Sequence, residues 1–511
     1  MTSKDLNSLA KGTSINLIFA IFASITTLIF NILAANYFGP ENFGFFSLVE
    51  TILGLSIMLA GLGITNSILR YFTYYRETSK AKLKGYMEFI FLIPLSLSFV
   101  VGILLFIFSG HITNFFNFPS IFSKFIQIIA IIIPFRMFSQ ITGKLFLSNK
   151  MYLHTNISFN VINKLSLIVG ILLIIYFNLE IIILIYLLLI IAIIRFTYSF
   201  IIFVLYKDKF LIKEKEKKKE YKNWFLFSLP LFFSGFMSFV YNWGDKIIIA
   251  KFLSPTELGI YSVAFSMAMF LYTIRSNMTN IFSPIISQKF AQKNYEEIKY
   301  LYKKGTNWIF SLTLPIFLVI IVFSKQIILL LYDKSYINAY IPLMIISIGL
   351  LINIMFGLNQ QILFAKGKTK SIFYNNIFIA GFNLILNLIL IPLIGIIGAA
   401  IATSISFILQ NSLLYIKANK HISLKLDWIY YLKCFIAGVP SVLLGAIVYR
   451  ILDINKYFDL VLGGGVYMGL FIFLLFILKI FDKEDIKILI LIEKKLGVNL
   501  GFVKRILKRF I

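Results

Sequence analysis

The chain alternates long apolar runs with short polar breaks along almost its whole length. Many runs reach about 20 residues, the length that an α-helix needs to cross the hydrocarbon core of a bilayer. The pattern predicts an all-α, polytopic membrane protein. About fourteen transmembrane helices are expected, with approximate bounds 12–37, 43–69, 86–109, 121–147, 153–176, 181–206, 224–250, 258–283, 307–331, 338–364, 371–391, 395–416, 431–451 and 458–480.

The first polar break, in the stretch "NYFGPENFGFFSLVE" at 36–50, has a second copy at 251–265, "KFLSPTELGIYSVAF". Four residues recur at a constant offset of 215: Ala35, Pro40, Gly44 and Ser47 return as Ala250, Pro255, Gly259 and Ser262. Two unrelated loops rich in Pro and Gly are the alternative explanation. We expect Pro40 to end one helix, Gly44 to allow close helix approach, and the two turns to face each other across a pseudo-twofold axis.

The repeat divides the chain at a run of lysines and glutamates. We predict a six-helix lobe at 1–206, a charged cytoplasmic linker at 207–222, a second six-helix lobe at 223–416, two additional helices at 417–481 and a cytoplasmic amphipathic tail at 482–511. Because the first lobe has an even number of helices, both lobes start from the same side of the membrane and are parallel repeats.

The loop charges predict the orientation. With a cytoplasmic N-terminus, roughly 38 Lys and Arg residues lie inside and about six outside, which is the bias of the positive-inside rule. We expect both termini in the cytoplasm and the protein in the cell (plasma) membrane. The first apolar run lacks the small-residue cleavage pattern of a signal peptide, so we interpret it as a retained span.

Composition narrows the functional classes. A chain of 511 residues with 59% hydrophobic residues has more apolar side chain than a soluble interior can hold. The formal net charge of +27 is explained by the cytoplasmic loops, so nucleic acid is not an expected partner. The single cysteine, Cys434, excludes an intrachain disulfide, and three scattered histidines predict neither a metal site nor a cofactor.

Three segments resemble a known family: "AANYFGPENFGFFSLVETI", "GDKIIIAKFLSPTELGIYSVAF" and "LFAKGKTKSIFYNNIFIAGFNLILNLILIPLIGIIGAAIATSISF". They are similar to the polysaccharide transporters (oligosaccharide flippases) of the MATE-like multidrug/oligosaccharidyl-lipid/polysaccharide exporter superfamily. The resemblance runs from about residue 10 to about residue 416 and implies two lobes around a central cavity that work by alternating access. It also implies a substrate, an oligosaccharide on a polyprenyl (di)phosphate, moved from the cytoplasmic to the outer leaflet.

Charged residues inside the predicted spans are the candidate site. A charge at the helix centre costs about 2.5–3.5 kcal/mol, so such residues are paired or functional. Cations outnumber anions there: Arg136, Lys164, Arg195, Lys246 and Arg275 stand against Glu50 and Asp245. The surplus suits an anionic cargo. We interpret these five cations, together with Arg70 at the expected cytoplasmic end of the second helix, as candidate substrate-binding residues.

Each cation also has a structural interpretation. Arg136 follows Pro134 and can satisfy the carbonyl that the proline leaves free. Lys164 and Arg195 can support the first lobe, Arg275 can be paired or snorkel, and Arg70 can be a plain topology anchor. A group of Asn and Gln residues in the tenth and eleventh helices is interpreted as helix packing rather than as sugar binding.

The two carboxylates are candidates for gating or ion coupling. Glu50 is expected on a cavity-lining helix, where an ion pair with Lys246 would close the outer gate; an ion pair within one lobe is the alternative. A partly buried Asp245 could carry a coupling proton or sodium ion.

Two rival functions remain open. An ion-coupled multidrug exporter of the same fold should have an acidic or aromatic cavity, which the surplus of cations disfavours. A membrane glycosyltransferase or polymerase needs catalytic residues in a sizeable outer loop, and the longest expected outer loop, 110–120, has no carboxylate. We therefore predict a transporter rather than an enzyme, with membrane lipids and glycosyltransferases of the same pathway as further partners.

Overall fold

The computed structural model describes residues 3–210, 216–452 and 456–480, and these are almost entirely helical. The helices of the first half are α1 (Ser3–Gly61), α2 (Ile64–Thr78), α3 (Lys80–Ile107), α4 (Ser109–Phe116), α5 (Ile121–Ser148), α6 (Tyr152–Asn156), α7 (Asn163–Tyr176), α8 (Ile181–Leu205) and α9 (Lys207–Phe210). A π-helix at Ile157–Ile162 joins α6 to α7. The predicted amphipathic tail at 482–511 lies outside the described residues.

The helices of the second half are α10 (Tyr221–Phe252), α11 (Pro255–Ala291), α12 (Tyr295–Leu331), α13 (Tyr340–Met355), α14 (Asn359–Ala365), α15 (Thr369–Asn419), α16 (Trp428–Leu452) and α17 (Lys456–Ile477). A 3₁₀-helix at Lys334–Ala339 precedes α13.

Eleven helices of the described chain are long and apolar enough to cross a membrane. Two of them are long enough for two crossings. The helix α15 has 51 residues and a break at Ile394 and Gly395, and its length of about 77 Å is more than twice the thickness of a hydrocarbon core. The apolar part of α1, Phe19–Gly61, has 43 residues and a break at Gly39. The prediction of an all-α, multi-pass membrane protein is confirmed, while the count of fourteen stays a prediction.

The break in α1 is at Gly39, inside the predicted interval 38–42. Gly39 has φ 74°, a conformation that favours glycine, and the chain is helical again from Pro40. Pro40 therefore begins the second arm of α1 rather than ending the first, because a proline fits the first helical turn, where its missing N–H has no partner to lose. Our prediction for Pro40 was wrong in this respect.

The structure differs from the prediction at one helix and two loops. The expected helix at 43–69 is interrupted at Leu62 and Gly63, both with positive φ, and the chain then continues as α2. Both loops are helical. The segment 70–84, predicted as a loop, is helical on both sides of Ser79, whose Oγ accepts a hydrogen bond from Lys82 N and caps α3. The expected loop at 110–120 likewise contains most of α4.

The helices pack into two compact units. The first, called unit A, is formed by Ile15–Val263 and Leu384–Ile396; the second, unit B, is formed by the described parts of Met1–Ser14, Ala264–Asn383 and Ile397–Ile511. Each unit has a core of buried aliphatic and aromatic side chains. The division into lobes at the charged linker stays a prediction.

Candidate functional site

The two repeated turns, with the helix ends on either side of them (35–47 and 250–262), are called the hairpins. They contact each other within unit A, and we call this the hairpin contact. A Cβ atom on Gly44 would collide with the backbone carbonyl oxygen of Pro255, and a Cβ atom on Gly259 would collide with that of Pro40. The contact is reciprocal, since each glycine meets the proline of the other copy. Glycine is required at both positions because only hydrogen leaves room for the neighbouring backbone.

A buried polar contact lies one turn further along both helices. Ser47 Oγ and Ser262 Oγ, which are also repeat counterparts, are 2.7 Å apart. Lys246 Nζ donates a hydrogen bond to Ser47 Oγ over 3.1 Å, and its ammonium lies 4.7 Å from the centroid of the Trp243 ring. The lysine is only 7% exposed. A hydroxyl and an aromatic face thus replace water around a buried cation.

Asp245 is held beside this contact with different partners. It is 1% exposed, its Oδ1 accepts a hydrogen bond from Lys246 N over 2.8 Å, and its Oδ2 accepts one from the hydroxyl of Tyr261. Hydrogen bonds of this kind stabilise a buried carboxylate, which would otherwise be costly. The hairpin contact therefore contains both a fixed ammonium and a fixed carboxylate.

Glu50 lies one turn beyond Ser47 on the second arm of α1. Its carboxylate forms an ion pair with Arg136 on α5, with Arg136 Nη2 and Glu50 Oε1 3.3 Å apart. The side chains are 17% exposed for Arg136 and 33% for Glu50. The structure thus places Glu50 in an ion pair inside unit A, and the charge of Lys246 acts on it electrostatically.

Two further cations surround this ion pair. Lys164 on α7 interacts electrostatically with Glu50, Arg136 and Arg195. Arg195 on α8 is 6% exposed, and its guanidinium lies 4.6 Å from the ring centroid of Phe159. Its buried Nε has no hydrogen-bond partner among the residues that the structure describes. We call Glu50, Arg136, Lys164 and Arg195 the charged cluster. Three positive side chains against one negative one leave a surplus of positive charge within this cluster.

The π-helix helps to place the cluster. Phe159, which faces the Arg195 guanidinium, is inside it, and Lys164 follows it by two residues. A π-turn widens the helix locally, and such turns are frequent at functional sites. The sequence does not reveal this π-helix, since a π-turn leaves no mark in hydrophobic periodicity.

Arg275 lies in unit B and is held by backbone and amide groups. Its guanidinium donates hydrogen bonds to Asn353 Oδ1 and, over 3.5 Å, to the carbonyl of Gly357. Asn353 in turn donates to the carbonyl of Phe407 on α15. The arginine is 7% exposed, so the described contacts fix it within the packing of α11, α13 and α15.

Arg70 is exposed on α2, outside the charged cluster. Its guanidinium stacks on Phe227 of α10, 4.5 Å from the ring centroid. Among the described residues, no group of three or more His, Cys, Asp or Glu side chains is placed to hold a metal ion. The structure therefore brings four of the predicted site residues into one cluster and places Asp245 and Lys246 at the hairpin contact beside it.

Sequence comparison identifies the family. The family described as "Polysaccharide biosynthesis protein" matches residues 32–341, more than half of the chain. The chain belongs to this family. This family member is 25% identical over 504 residues to an uncharacterised membrane protein of Methanocaldococcus jannaschii. The match covers 93% of this chain and 97% of the M. jannaschii protein. It is 24% identical over 271 residues to the probable low-salt glycan biosynthesis flippase Agl15 of Haloferax volcanii, covering 50% of this chain and 55% of Agl15.

Solved structures agree on the fold of this family member. The lipid II flippase MurJ in an inward closed conformation has a TM-score of 0.65 at 19% identity, covering 89% of this chain and 97% of that chain. An inward-facing MATE family multidrug transporter has a TM-score of 0.62 at 13% identity, and the match covers 80% of this chain and 98% of the transporter. The predicted MATE-like fold is confirmed.

Proposed function

We propose that the protein is a flippase that carries a polyprenyl-(di)phosphate-linked oligosaccharide from the cytoplasmic to the outer leaflet of the cell membrane by alternating access. The observation that carries the proposal is the charged cluster, in which, of the described residues, three cations (Arg136, Lys164 and Arg195) stand against one carboxylate, Glu50. Cations of this kind are costly inside a membrane and are retained where an anion must pass.

The chemistry of the cargo explains why such a cluster is useful. A phosphate group that leaves the headgroup layer loses its water and needs charged donors in exchange. Lys164 and two guanidiniums can supply these donors, and within the described part of the chain the buried Arg195 Nε has no hydrogen-bond partner. The lipid chain needs no such site, because it can stay in the bilayer throughout.

The comparisons support the transporter class over its rivals. Agl15 is described as a flippase for glycan biosynthesis, and the MurJ and MATE structures share the fold. A multidrug exporter of this fold that carries cations would be disfavoured by the positive cluster. Glycosyltransferases of the same pathway are the enzymes expected to supply the lipid-linked sugar.

We place the outer gate at the hairpin contact, where Gly44 meets Gly259 and Ser47 meets Ser262. Its opening must separate the two hydroxyls and release Lys246. A cysteine at position 262, in a chain whose Cys434 is replaced by alanine, should react with an impermeant maleimide faster when substrate is added. Equal labelling rates with and without substrate would show that the outer gate does not lie at this contact.

Asp245 is the candidate for ion coupling, since it is buried within the gate region and bound by a hydroxyl. A proton or sodium ion bound there would weaken its contact with Tyr261. In vesicles, an imposed proton or sodium gradient should accelerate transport by the wild type, while Asp245→Asn should remove the acceleration and leave basal transport. Acceleration that persists in the variant would exclude this role.

The central experiment measures the movement of a fluorescent polyprenyl-diphosphate sugar between the leaflets of vesicles that contain the purified protein. Arg136→Ala and Lys164→Met should lower the rate about tenfold or more, because each removes a charged donor to the phosphate. Arg275→Ala should also slow transport, since α11 loses its fixed arginine.

The matched control is Arg450→Gln, an exposed arginine near the end of α16. It should transport at the wild-type rate. If the Arg136 and Lys164 variants also keep the wild-type rate, the charged cluster is not the phosphate site. If the wild type moves no lipid-linked sugar under any gradient, the proposed function itself fails.

A further inference from the structure

A second candidate binding site lies on the membrane-facing side of α3, α5 and α8 in unit A. It is an apolar groove with a volume of about 700 Å³, and Phe91, Leu92, Phe99 and Phe138 are among the residues that line it. Leu92 is 51% and Phe99 57% exposed, so the groove opens sideways. A second apolar cavity of about 500 Å³ continues it and shares Leu95, Phe99 and Phe138 with it.

One end of the groove is charged. Lys84 on α3 and Lys217 of the linker line this end together with Glu88. Lys217 forms an ion pair with Glu88, and Lys219 Nζ lies 3.7 Å from Glu88 Oε1. We call these four residues the rim. Burial lowers the pKa of Lys217, and the neighbouring charges of Lys219 and Lys84 lower it further. The rim thus holds three mutually repelling cations against one carboxylate.

The rim is held in place by contacts of the linker with α3. Lys218 N donates a hydrogen bond to the carbonyl of Ala81 over 3.1 Å, and Lys82 forms an ion pair with Glu220 at 2.7 Å. Gly85 leaves room for the Lys218 backbone, because a Cβ atom there would collide with the carbonyl oxygen. The linker residues beside the groove are therefore docked on the first turns of α3.

The dimensions suit a lipid chain. From Lys84 to Phe99 the groove follows 15 residues of α3, or about 22 Å, which is longer than one leaflet of about 15 Å. Basic pockets beside membrane helices on the cytoplasmic side bind anionic headgroups. We propose that this groove holds an anionic phospholipid of the membrane, with its phosphate between Lys84 and Lys217 and an acyl chain along Leu92, Ser96 and Phe99.

The positive charge of the rim disfavours two other occupants of the groove, the tail of this chain and a second copy of it. The tail at 482–511 is predicted to be amphipathic, but its Lys and Arg residues would be repelled by the rim. The same face of a second copy would bring the same lysines together. An anionic headgroup instead relieves the repulsion, and the lateral opening gives access from the bilayer. The site does not depend on what the protein transports.

The test is native mass spectrometry of the purified full chain with dioleoylphosphatidylglycerol and, separately, dioleoylphosphatidylcholine, which share their chains and differ in charge. The wild type should retain phosphatidylglycerol at least tenfold more tightly. Lys84→Gln combined with Lys217→Gln should abolish this preference. Ser96→Trp, which fills the groove, should remove the binding of both lipids.

Two matched controls separate the site from general effects. Lys222→Gln removes an exposed lysine in the first turn of α10, and Val100→Trp introduces the same side chain at an exposed position of α3 that does not line the groove. Both should bind as the wild type does. Equal retention of the two lipids by the wild type, unchanged binding in the rim or Ser96 variants, or displacement of phosphatidylglycerol by equimolar polyprenyl phosphate would overturn the proposal.

Discussion

At the scale of single residues, the sequence indicated which side chains matter but not their partners. Glu50, Arg136, Lys164 and Arg195 were identified because charges inside apolar runs are costly. Their meeting in one cluster depends on the packing of α1, α5, α7 and α8, which helical periodicity does not determine. Ser47 and Ser262 were visible only as members of the repeat, and their hydrogen bond required the structure.

The first prediction concerns Glu50, the carboxylate of the charged cluster. Glu50→Gln leaves three cations without a compensating charge, so the melting temperature in detergent should fall by several degrees. Inorganic pyrophosphate should then raise the melting temperature more in this variant than in the wild type, because the surplus charge is larger. Glu41→Gln, at an exposed position of the same arm of α1, is the control and should behave as the wild type. A Glu50 variant that melts like the control would show that the carboxylate does not stabilise the cluster.

The second prediction concerns pH and Asp427, which precedes α16. Burial alone would raise the pKa of this carboxyl, but hydrogen bonds from Lys303 and Asn307 outweigh it and hold the pKa below the ordinary 3.8. A lowered pKa means that the stabilisation is present at neutral pH and is lost as the pH falls below about 4. Asp427→Asn should therefore lower the stability by up to about 1 kcal/mol at pH 7, since the ion pair is partly exposed.

Thermal unfolding in detergent at pH 7 and pH 3 measures this effect. The difference between Asp427→Asn and the wild type should shrink at the lower pH. Asp208→Asn, at an exposed site on α9, should show no difference at either pH. A gap between Asp427→Asn and the wild type that stays constant with pH would contradict the assignment.

At the scale of helices, most spans were predictable and their breaks were not. Apolar length was enough to find α5, α8 and α16 to within a few residues. The positive φ of Leu62 interrupts an apolar run that hydropathy cannot distinguish from a continuous helix. The helical segment around Ser79 was missed for the opposite reason, since the polar residues there complete α2 and form the first turns of α3 rather than a loop.

The third prediction concerns the glycine contact between the hairpins. Gly44→Ala places a Cβ against the Pro255 carbonyl, so the helices must separate at a cost of about 1–3 kcal/mol. Gly259→Ala should cost a similar amount because its contact with Pro40 is the reciprocal one. Gly235→Ala on α10 meets nothing within 4 Å and should be neutral or stabilising. Melting temperatures of the three variants provide the measurement; a harmless Gly44→Ala would refute the close approach.

At the scale of the whole molecule, the fold class was predictable, because the length of the apolar runs, the composition and the charges of the loops together indicate a multi-pass helical membrane protein. The packing into units A and B was not, since it depends on long-range contacts. The family followed from sequence patterns, because the repeated turns and the segment 363–407 carry the resemblance.

The fourth prediction concerns orientation in the membrane. In a chain with Cys434→Ala, single cysteines at Asn114 and Ser335 should react with an impermeant maleimide added to intact cells, because both follow expected outward crossings. Cysteines at Glu77 and Lys368 should react only after the cells are opened. Labelling of all four positions in intact cells, or the reverse pattern, would contradict the orientation that the loop charges predict.

The reciprocity of Gly44 with Pro255 and of Gly259 with Pro40 has an evolutionary consequence. In an isologous, twofold homodimer, residue i of one subunit contacts residue j of the other, and residue j of the first contacts residue i of the second, which is the pattern of these two contacts. We infer that the two hairpins descend from one shorter chain that once paired with itself. In that ancestor any substitution acted twice at the interface; in the joined gene it acts once, so the copies could diverge wherever their backbones do not touch.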